Sequence, residues 1–596
     1  MDGITSEVLK LGGEVSIRWL TSIFNAVWTN ESVPSDWTKQ LIVPIHKKGS
    51  QSEWDNFRGI ALLSVPSKVF TKVISNRLKP RLELLLRESQ CGFRKGHGCN
   101  DQIFSLRILM EKAREFHQPL YVCFIDLRKA YDSVNRDALW SVLQKCYNLP
   151  EKLLSIIRAV HDHSTAAIHA YSKTSDEFAV TSGVRQGCVL APALFNLYFD
   201  IVIRMAIDKH CQEGRGVHIV YHPDAKLVGD RRKMTMETLV TDLEYADDMA
   251  LVSSSWSDLE AMIRSLNYQC NAMGLTISCK KTKTLAVLPS PSCQQPEPIL
   301  LNPGADPVEP VATFQYLGST VSQDCNTGAE VTARIVKASQ AFGSLACKLW
   351  LQRRIKTKTK LRVLSSVIIP TLLYGLECTV LLEPEVHRLQ SFVMRCLRTI
   401  LSISTWDNKR NTSIRKTAKQ QRVSSLLSQR RLRFVGHIAR MDESRLPRQL
   451  LVSALPSGKR SVGGQKCRWN DLLVRDLKKF GLGDDWRSKA MDRQEWRQIV
   501  KREVELVNER DELQEKKQKD DRKCRCEGRQ MASEAALHCE HPGCEFMALN
   551  RAGLVNHTRQ KHQEPQLGQC AHCRRTFNRQ GLANHRRFCG SRATNN

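Results

Sequence analysis

Leu243-Glu244-Tyr245-Ala246-Asp247-Asp248-Met249-Ala250-Leu251-Val252 is the stretch on which the fold of this sequence turns. Its apolar residues read as the two strands of a buried β-hairpin, and Asp247 and Asp248 interrupt them. Adjacent carboxylates between apolar strands repel each other and lose hydration, so a cation or hydrogen-bond donors must compensate them. The competing reading is an exposed turn. A divalent metal is the usual compensator, and the chemistry it serves is phosphoryl transfer, which calls for another carboxylate.

That carboxylate is found upstream in Tyr121-Val122-Cys123-Phe124-Ile125-Asp126-Leu127-Arg128-Lys129-Ala130-Tyr131-Asp132, a short apolar strand ending on Asp126. An acid at a strand end can face a neighbouring hairpin, although Asp126 alone could equally cap a helix. Between the two segments stands Ser182-Gly183-Val184-Arg185-Gln186-Gly187-Cys188-Val189-Leu190-Ala191-Pro192-Ala193-Leu194-Phe195-Asn196, a glycine-flanked loop entering an apolar helix. In chain order the three resemble motifs A, B and C of reverse transcriptases, in the wording of the non-LTR, LINE-like retrotransposon branch.

The resemblance implies an α+β right-hand polymerase of fingers, palm and thumb, working as an RNA-directed DNA polymerase. A primer 3′-hydroxyl would attack the α-phosphate of a deoxynucleoside triphosphate, with Mg²⁺ (or Mn²⁺) held by Asp126, Asp247 and Asp248. RNA template, DNA primer or target, and deoxynucleotides are the implied partners.

Further landmarks follow in order. Lys47-Lys48-Gly49-Ser50 through Asn56-Phe57-Arg58-Gly59-Ile60-Ala61-Leu62-Leu63-Ser64 to Asn76-Arg77-Leu78 resembles the first fingers motif, and Gln90-Cys91-Gly92-Phe93-Arg94-Lys95-Gly96-His97 the second. Arg94 is expected to approach the incoming triphosphate, because a guanidinium suits phosphate oxygens. Tyr131 falls where the family has a bulky aromatic under the incoming sugar, which would exclude a ribose 2′-hydroxyl; the alternative is a core aromatic at a helix start. Gly183 and Gly187 would let backbone approach the nucleotide, and Gln186 could hydrogen-bond it. Ala191 stands where many relatives have serine. Asp258 is expected to cap a helix with Leu259, Met262, Ile263, Leu266 and Cys270 on its buried face. Gly274 to Lys283 resembles motif D, with Lys281 at the lysine that assists the pyrophosphate leaving group, and Phe314-Gln315-Tyr316-Leu317-Gly318-Ser319 resembles the primer-grip hairpin.

The formal net charge of +29 over 596 residues points to a polyanionic partner and to several domains. Anionic membrane is the rival partner, but the best spanning candidate, Val363 to Leu382, contains Pro370, Gly375 and Glu377 and reads as a buried helix pair. The N-terminus has no signal-peptide pattern, so the expected location is intracellular, in nucleus and cytoplasm, without secretion. In that reducing interior the 21 cysteines are not a disulfide framework. Residues 405–470 hold 16 Lys or Arg against 3 Asp or Glu, interleaved with aromatics, which suits backbone phosphates; a disordered charged segment is the alternative.

At the C-terminus Cys539, Cys544, His557 and His562 have the spacing of a zinc finger, with Phe546 and Leu554 as a small core. Cys570, Cys573, His585 and Cys589 form a shorter second set ending in cysteine. In so small a unit tetrahedral Zn²⁺ replaces the missing core.

The expected organisation is an N-terminal helical extension (1–40), fingers and palm (41–320), a helical thumb (321–404), a basic helical extension (405–500), a charged helix or linker (501–534) and two zinc modules (535–596). The rivals are a catalytically inactive, retroelement-derived nucleic-acid-binding protein and a group II intron maturase, whose nuclease domain would show different Cys/His spacing. LINE-like polymerases commonly carry an N-terminal endonuclease, for which about 40 residues are too few. The expectation is therefore a fragment of a longer element, or nicking supplied from elsewhere.

Overall fold

The computed structural model describes residues 3–47, 49–222, 235–290, 293, 295–304, 306–458, 467–483, 485–533, 537–548, 551–562, 567–569 and 576–578. The chain divides into two compact units, 1–505 and 506–596.

In the first unit, helix α1 (Gly13–Asn30) leads to β1 (Lys39–His46) and β2 (Phe57–Leu62), an antiparallel pair with Val43 opposite Ile60. Helix α2 (Val65–Leu85) starts on Ser64, whose side chain accepts from the Ser67 N–H, with Pro66 in the first turn, where its missing N–H costs nothing. Its Phe70 packs on Phe24 and Trp37. Then come α3 (Cys99–Glu115), β3 (Leu120–Ile125), β4 (Thr165–Ala170), parallel to β1, and α4 (Ala191–Gln212). The hairpin β5 (Val217–Tyr221) and β6 (Met236–Val240) precedes β7 (Asp242–Tyr245) and β8 (Asp248–Ser253). Helix α5 (Trp256–Ala272), β9 (Lys283–Val287), β10 (Glu309–Pro310) and the hairpin β11 (Thr313–Tyr316) and β12 (Ser319–Ser322) complete this part.

The sheet that carries the aspartates runs β10-β9-β3-β8-β7, antiparallel except for β9 with β10. Side chains alternate across it. Cys123, Ile125, Met249 and Leu251 share one core with α4 and α5, while Phe124 turns to Phe314 and Tyr316 in the β11–β12 hairpin. The expected stripe on α5 is fully buried, but its cap is Ser255, which accepts from the Asp258 N–H; Asp258 sits in the first turn instead.

A second core gathers α6 (Gly328–Ser344), α7 (Glu383–Leu401) and the segment between them. Val363 to Leu382 breaks at Gly375, φ 73°, and buries Leu364, Ile368, Leu372 and Leu376. No helix among the described residues is long and apolar enough to cross a membrane. The basic stretch then folds as α8 (Val423–Ala439), α9 (Leu446–Val452), α10 (Trp469–Lys479) and the start of α11 (Arg493–Ser533). It packs on α3: Phe104 meets Phe434 and Trp469 at ring distances of 5.4 and 4.8 Å, and Arg468 pairs with Glu115 at 3.0 Å. Val220 and Ala454 exchange both backbone hydrogen bonds, tying β5 to the chain after α9.

Candidate active site and metal centres

The β7–β8 hairpin turns on Ala246 and Asp247, with Ala246 at φ 59°. Met249 lies opposite Ile125 in the antiparallel register, so one step further along the same register sets Asp248 opposite Asp126. The flanking Ile125, Met249 and Ala250 are buried, and the carboxylates emerge where the sheet ends. Burial pushes the Asp248 carboxyl up to about 6, helped by Asp247 and Asp126 and opposed by Arg58. Asp247 is raised in the same way by burial and by Asp126. Three oxygen-donor carboxylates that destabilise one another in this way suit a hard divalent cation such as Mg²⁺.

The motif D segment runs beside Asp126. The Ser278 N–H donates to the Asp126 carbonyl, the Arg128 N–H to the Thr276 carbonyl, and the Asp126 N–H to Thr282 Oγ1. This places Lys281 Nζ 3.2 Å from Asp126 Oδ1. Tyr131 is half-buried and stacks on Phe195 at 4.7 Å; burial raises its hydroxyl pKa, as do Asp247 and Asp248, which marks it as their neighbour. Asp126, Tyr131, Asp247, Asp248 and Lys281 are thus brought together.

Arg94 departs from its expected role. Its guanidinium donates to Glu83 Oε1 and to the carbonyls of Glu83, Arg87 and Gln90, and with its side chain only 6% exposed it is committed to holding its own loop. That loop buttresses the aspartate turn. Gln90 Oε1 accepts from the Ala246 N–H at 2.9 Å, and a Cβ on Gly92 would lie 2.3 Å from Ala246 N. Gly187, at φ 123°, is pressed against the Ala61 carbonyl, where a Cβ would approach to 2.3 Å, and Gln186 accepts from the Ala61 N–H through its own carbonyl. A close approach of backbone to backbone therefore accounts for that glycine. The residue that sequence reasoning passed over is Arg58 on β2, an exposed cation whose charge acts on both Asp247 and Asp248. Its position inside the first fingers motif was the available signal.

Beneath the turn, Glu244 is fully buried. Arg87 pairs with Glu244 at 3.1 Å and Asp242 at 2.7 Å. Burial and Asp242 hold the Glu244 carboxyl well above the usual carboxylate range. A buried acid survives there because Arg87, Ser89 and Gln90 all donate to it.

In the second unit, β13 (Leu537–His538) and β14 (Met547–Ala548) pair, and α12 (Arg551–Lys561) follows. The ligand atoms of Cys539, Cys544, His557 and His562 lie within 4.8 Å of one another, and Cys544 Sγ and His562 Nε2 each sit 3.1 Å from His557 Nε2. Two thiols and two imidazoles converging in this way match the donor set of tetrahedral Zn²⁺. Phe546 stacks on His557 at 3.9 Å, orienting a ligand instead of filling an independent core. Cys570, Cys573, His585 and Cys589 lie outside the described residues.

Residues 45–321 match the family described as reverse transcriptase (RNA-dependent DNA polymerase). The chain is 26% identical over 471 residues to "Probable RNA-directed DNA polymerase from transposon BS" of Drosophila melanogaster, covering 76% of this chain and 48% of that one. It is 24% identical over 468 residues to the corresponding protein of transposon X-element from the same organism, covering 75% and 48%. The chain spans about half the length of these curated relatives. Among solved structures, telomerase from Candida albicans is similar with a TM-score of 0.38 at 10% identity, over 68% of this chain and 69% of that one.

Proposed function

We propose that this chain, whose residues 45–321 match the reverse transcriptase family, is the RNA-directed DNA polymerase of a LINE-like retroelement, adding deoxynucleotides to a primer 3′-hydroxyl. The observation that carries the reading is the meeting of Asp126 with Asp247 and Asp248 at one sheet end, inside the matched segment. In this reading 41–320 are fingers and palm, 321–404 the thumb, 405–500 a basic extension, 501–534 a linker and 535–596 zinc-dependent nucleic-acid anchors.

Asp126, Asp247 and Asp248 would hold divalent ions, which when bound supply charge neutralisation and activation of the attacking oxygen. The protein's own side chains do the rest. Lys281, beside Asp126, offers an ammonium proton to the departing pyrophosphate. The charge of Arg58, on β2, reaches Asp247 and Asp248, and in this reading Arg58 meets the triphosphate in place of Arg94. Tyr131, held by Phe195, closes the sugar side of the site against a 2′-hydroxyl.

The test is primer extension by purified protein on an RNA template with Mg²⁺. Extension that requires template and all four deoxynucleotides, and stops on chelation, supports the reading. A folded protein that binds primer–template yet adds no nucleotide with Mg²⁺ or Mn²⁺ overturns it in favour of a binding protein.

A further inference from the structure

The composition of residues 405–470 suits backbone phosphates, but most of the arginines there are occupied within the protein. Arg431 pairs with Asp476, Arg445 with Glu88 and Asp101, Arg448 with Glu443, and Arg468 with Asp471 and Glu115. Three of the arginines that remain outward, Arg433, Arg493 and Arg497, lie where α8 crosses α11. The crossing is tight because Gly436 has no side chain: a Cβ there would lie 2.2 Å from Trp496 Nε1, which donates to the Leu432 carbonyl at 2.8 Å. Arg433 lies one turn before Gly436 on α8 and Arg440, the C-cap of α8, one turn after it, and Arg493 and Arg497 flank Trp496 on α11.

We propose that Arg433, Arg440, Arg493 and Arg497 form a phosphate-binding face for the backbone of a nucleic-acid duplex. Arg433, Arg493 and Arg497 are exposed and have no carboxylate partner among the described residues. Arg440 donates to the Ala490 carbonyl and feels Asp492 as its one opposing charge. Burial and the charges of Arg497 and Arg430 lower the pKa of Arg433, and burial, Arg493 and Arg497 lower that of Arg440, so the cluster carries mutual repulsion that a polyanion relieves. Folding does not require such a cluster. The aromatic rings of the crossing, Trp496 and Phe434, are buried. A single strand is gripped by stacking bases on exposed rings; a face that presents guanidinium groups without rings reads backbone phosphates, as duplex binders do.

The inference rests on the reading of the chain as a nucleic-acid enzyme, and it is tested by binding alone, without deoxynucleotides, so that its failure is separate from failure of polymerisation. The probes are a short blunt RNA–DNA hybrid, a DNA duplex of the same sequence and a single strand, titrated with the full chain over a salt series. Neutralising an arginine that contacts a phosphate reduces the slope of log K against log salt by about 0.9. The double variant Arg433→Gln/Arg497→Gln is expected to lower the duplex slope by nearly two and to weaken duplex binding on the order of tenfold at about 0.15 M salt. Arg502→Gln, whose guanidinium is already paired with Glu503 at 3.0 Å, is the control for loss of a surface charge away from the face and is expected to change neither. A double variant that melts like wild type and keeps the wild-type slope and affinity for both duplexes overturns the proposal, as does a loss confined to the single strand. Loss on the hybrid alone, or on both duplexes, supports it and identifies which duplex the face receives.

Discussion

Lys281 Nζ lies 3.2 Å from Asp126 Oδ1, although 155 residues separate them in the chain. Their side chains are 67% and 38% exposed, so the pair contributes little to stability, on the order of 0–1 kcal/mol. A role in chemistry and a role as a surface ion pair therefore make different predictions. Lys281→Ala should leave the melting temperature unchanged and reduce kcat by about 10²-fold or more, as loss of a general acid does. Single-turnover extension at saturating nucleotide measures it, and near-wild-type kcat would reduce Lys281 to the ion pair alone.

Asp126→Ala and Asp247→Ala should each abolish nucleotide addition while primer–template binding persists, because the carboxylates serve the chemical step more than the grip. Asp248→Ala should be severe as well. Removing one member of a mutually repelling set also relieves the others: burial, Asp247 and Asp126 hold the Asp248 carboxyl near about 6. None of the three changes should therefore destabilise the fold in the absence of metal, and thermal melts in chelator check that separately from extension assays. Extension surviving both Asp126→Ala and Asp247→Ala would refute the assignment.

The three aspartates were legible because two strands of apolar residues ending on acids admit few arrangements, and the β3–β8 register realises the one that joins them. Arg94 was misjudged because sequence shows a guanidinium's chemistry and not its partners; Glu83 and three backbone carbonyls, brought close only by folding, consume its donors. Gly183 and Gly187 were legible as close approaches, but what approaches them is the chain itself, at Asp132 and Ala61. The packing of 405–500 on α3 left no local signal, since Phe104 with Phe434 and Arg468 with Glu115 are long-range pairs.

Tyr131 is held by the stacked Phe195 ring at 4.7 Å, so truncation should open space on the sugar side without releasing the helix that carries Phe195. Tyr131→Ala should lower the ratio of kcat/KM for deoxynucleotides over ribonucleotides, measured on one template. Tyr131→Phe keeps the ring and should keep the ratio. An unchanged ratio in an active Tyr131→Ala protein would leave Tyr131 as a core aromatic.

Glu111 joins α3 to the start of α10 by accepting the Trp469 N–H at 3.0 Å. Burial pushes its carboxyl up to about 7 from an ordinary 4.5, with Glu115 adding to the rise and the Trp469 N–H, Lys112 and Arg468 opposing it. The folded chain thus binds this proton more tightly than the unfolded chain, so the associated stability is full below the ordinary value and is lost as pH rises through about 7. The amount is on the order of 1–3 kcal/mol. Glu111→Gln retains an acceptor and cannot ionise, so its melting temperature should fall less than that of wild type between about pH 5 and 8. Parallel pH dependences would remove Glu111 from the account.

The convergence of Cys539, Cys544, His557 and His562 carries a prediction outside residues 1–505. With no bound ion, two thiols and two imidazoles within 4.8 Å have little apolar packing to hold them, since Phe546 remains 41% exposed. Metal must therefore supply most of the local folding energy, and the site should titrate with Zn²⁺ and lose order on chelation. Co²⁺ substitution of the full chain should give the visible absorption of a tetrahedral site with two thiolate ligands, and His557→Ala should remove that component and lower bound zinc by one equivalent per chain. Protease sensitivity within 537–562 should rise in the same variant, while extension on a primer supplied in excess should persist, because the ligands belong to a different unit from Asp126. A wild-type protein that shows no thiolate-to-cobalt absorption, or a variant with the full wild-type zinc content, would refute the centre.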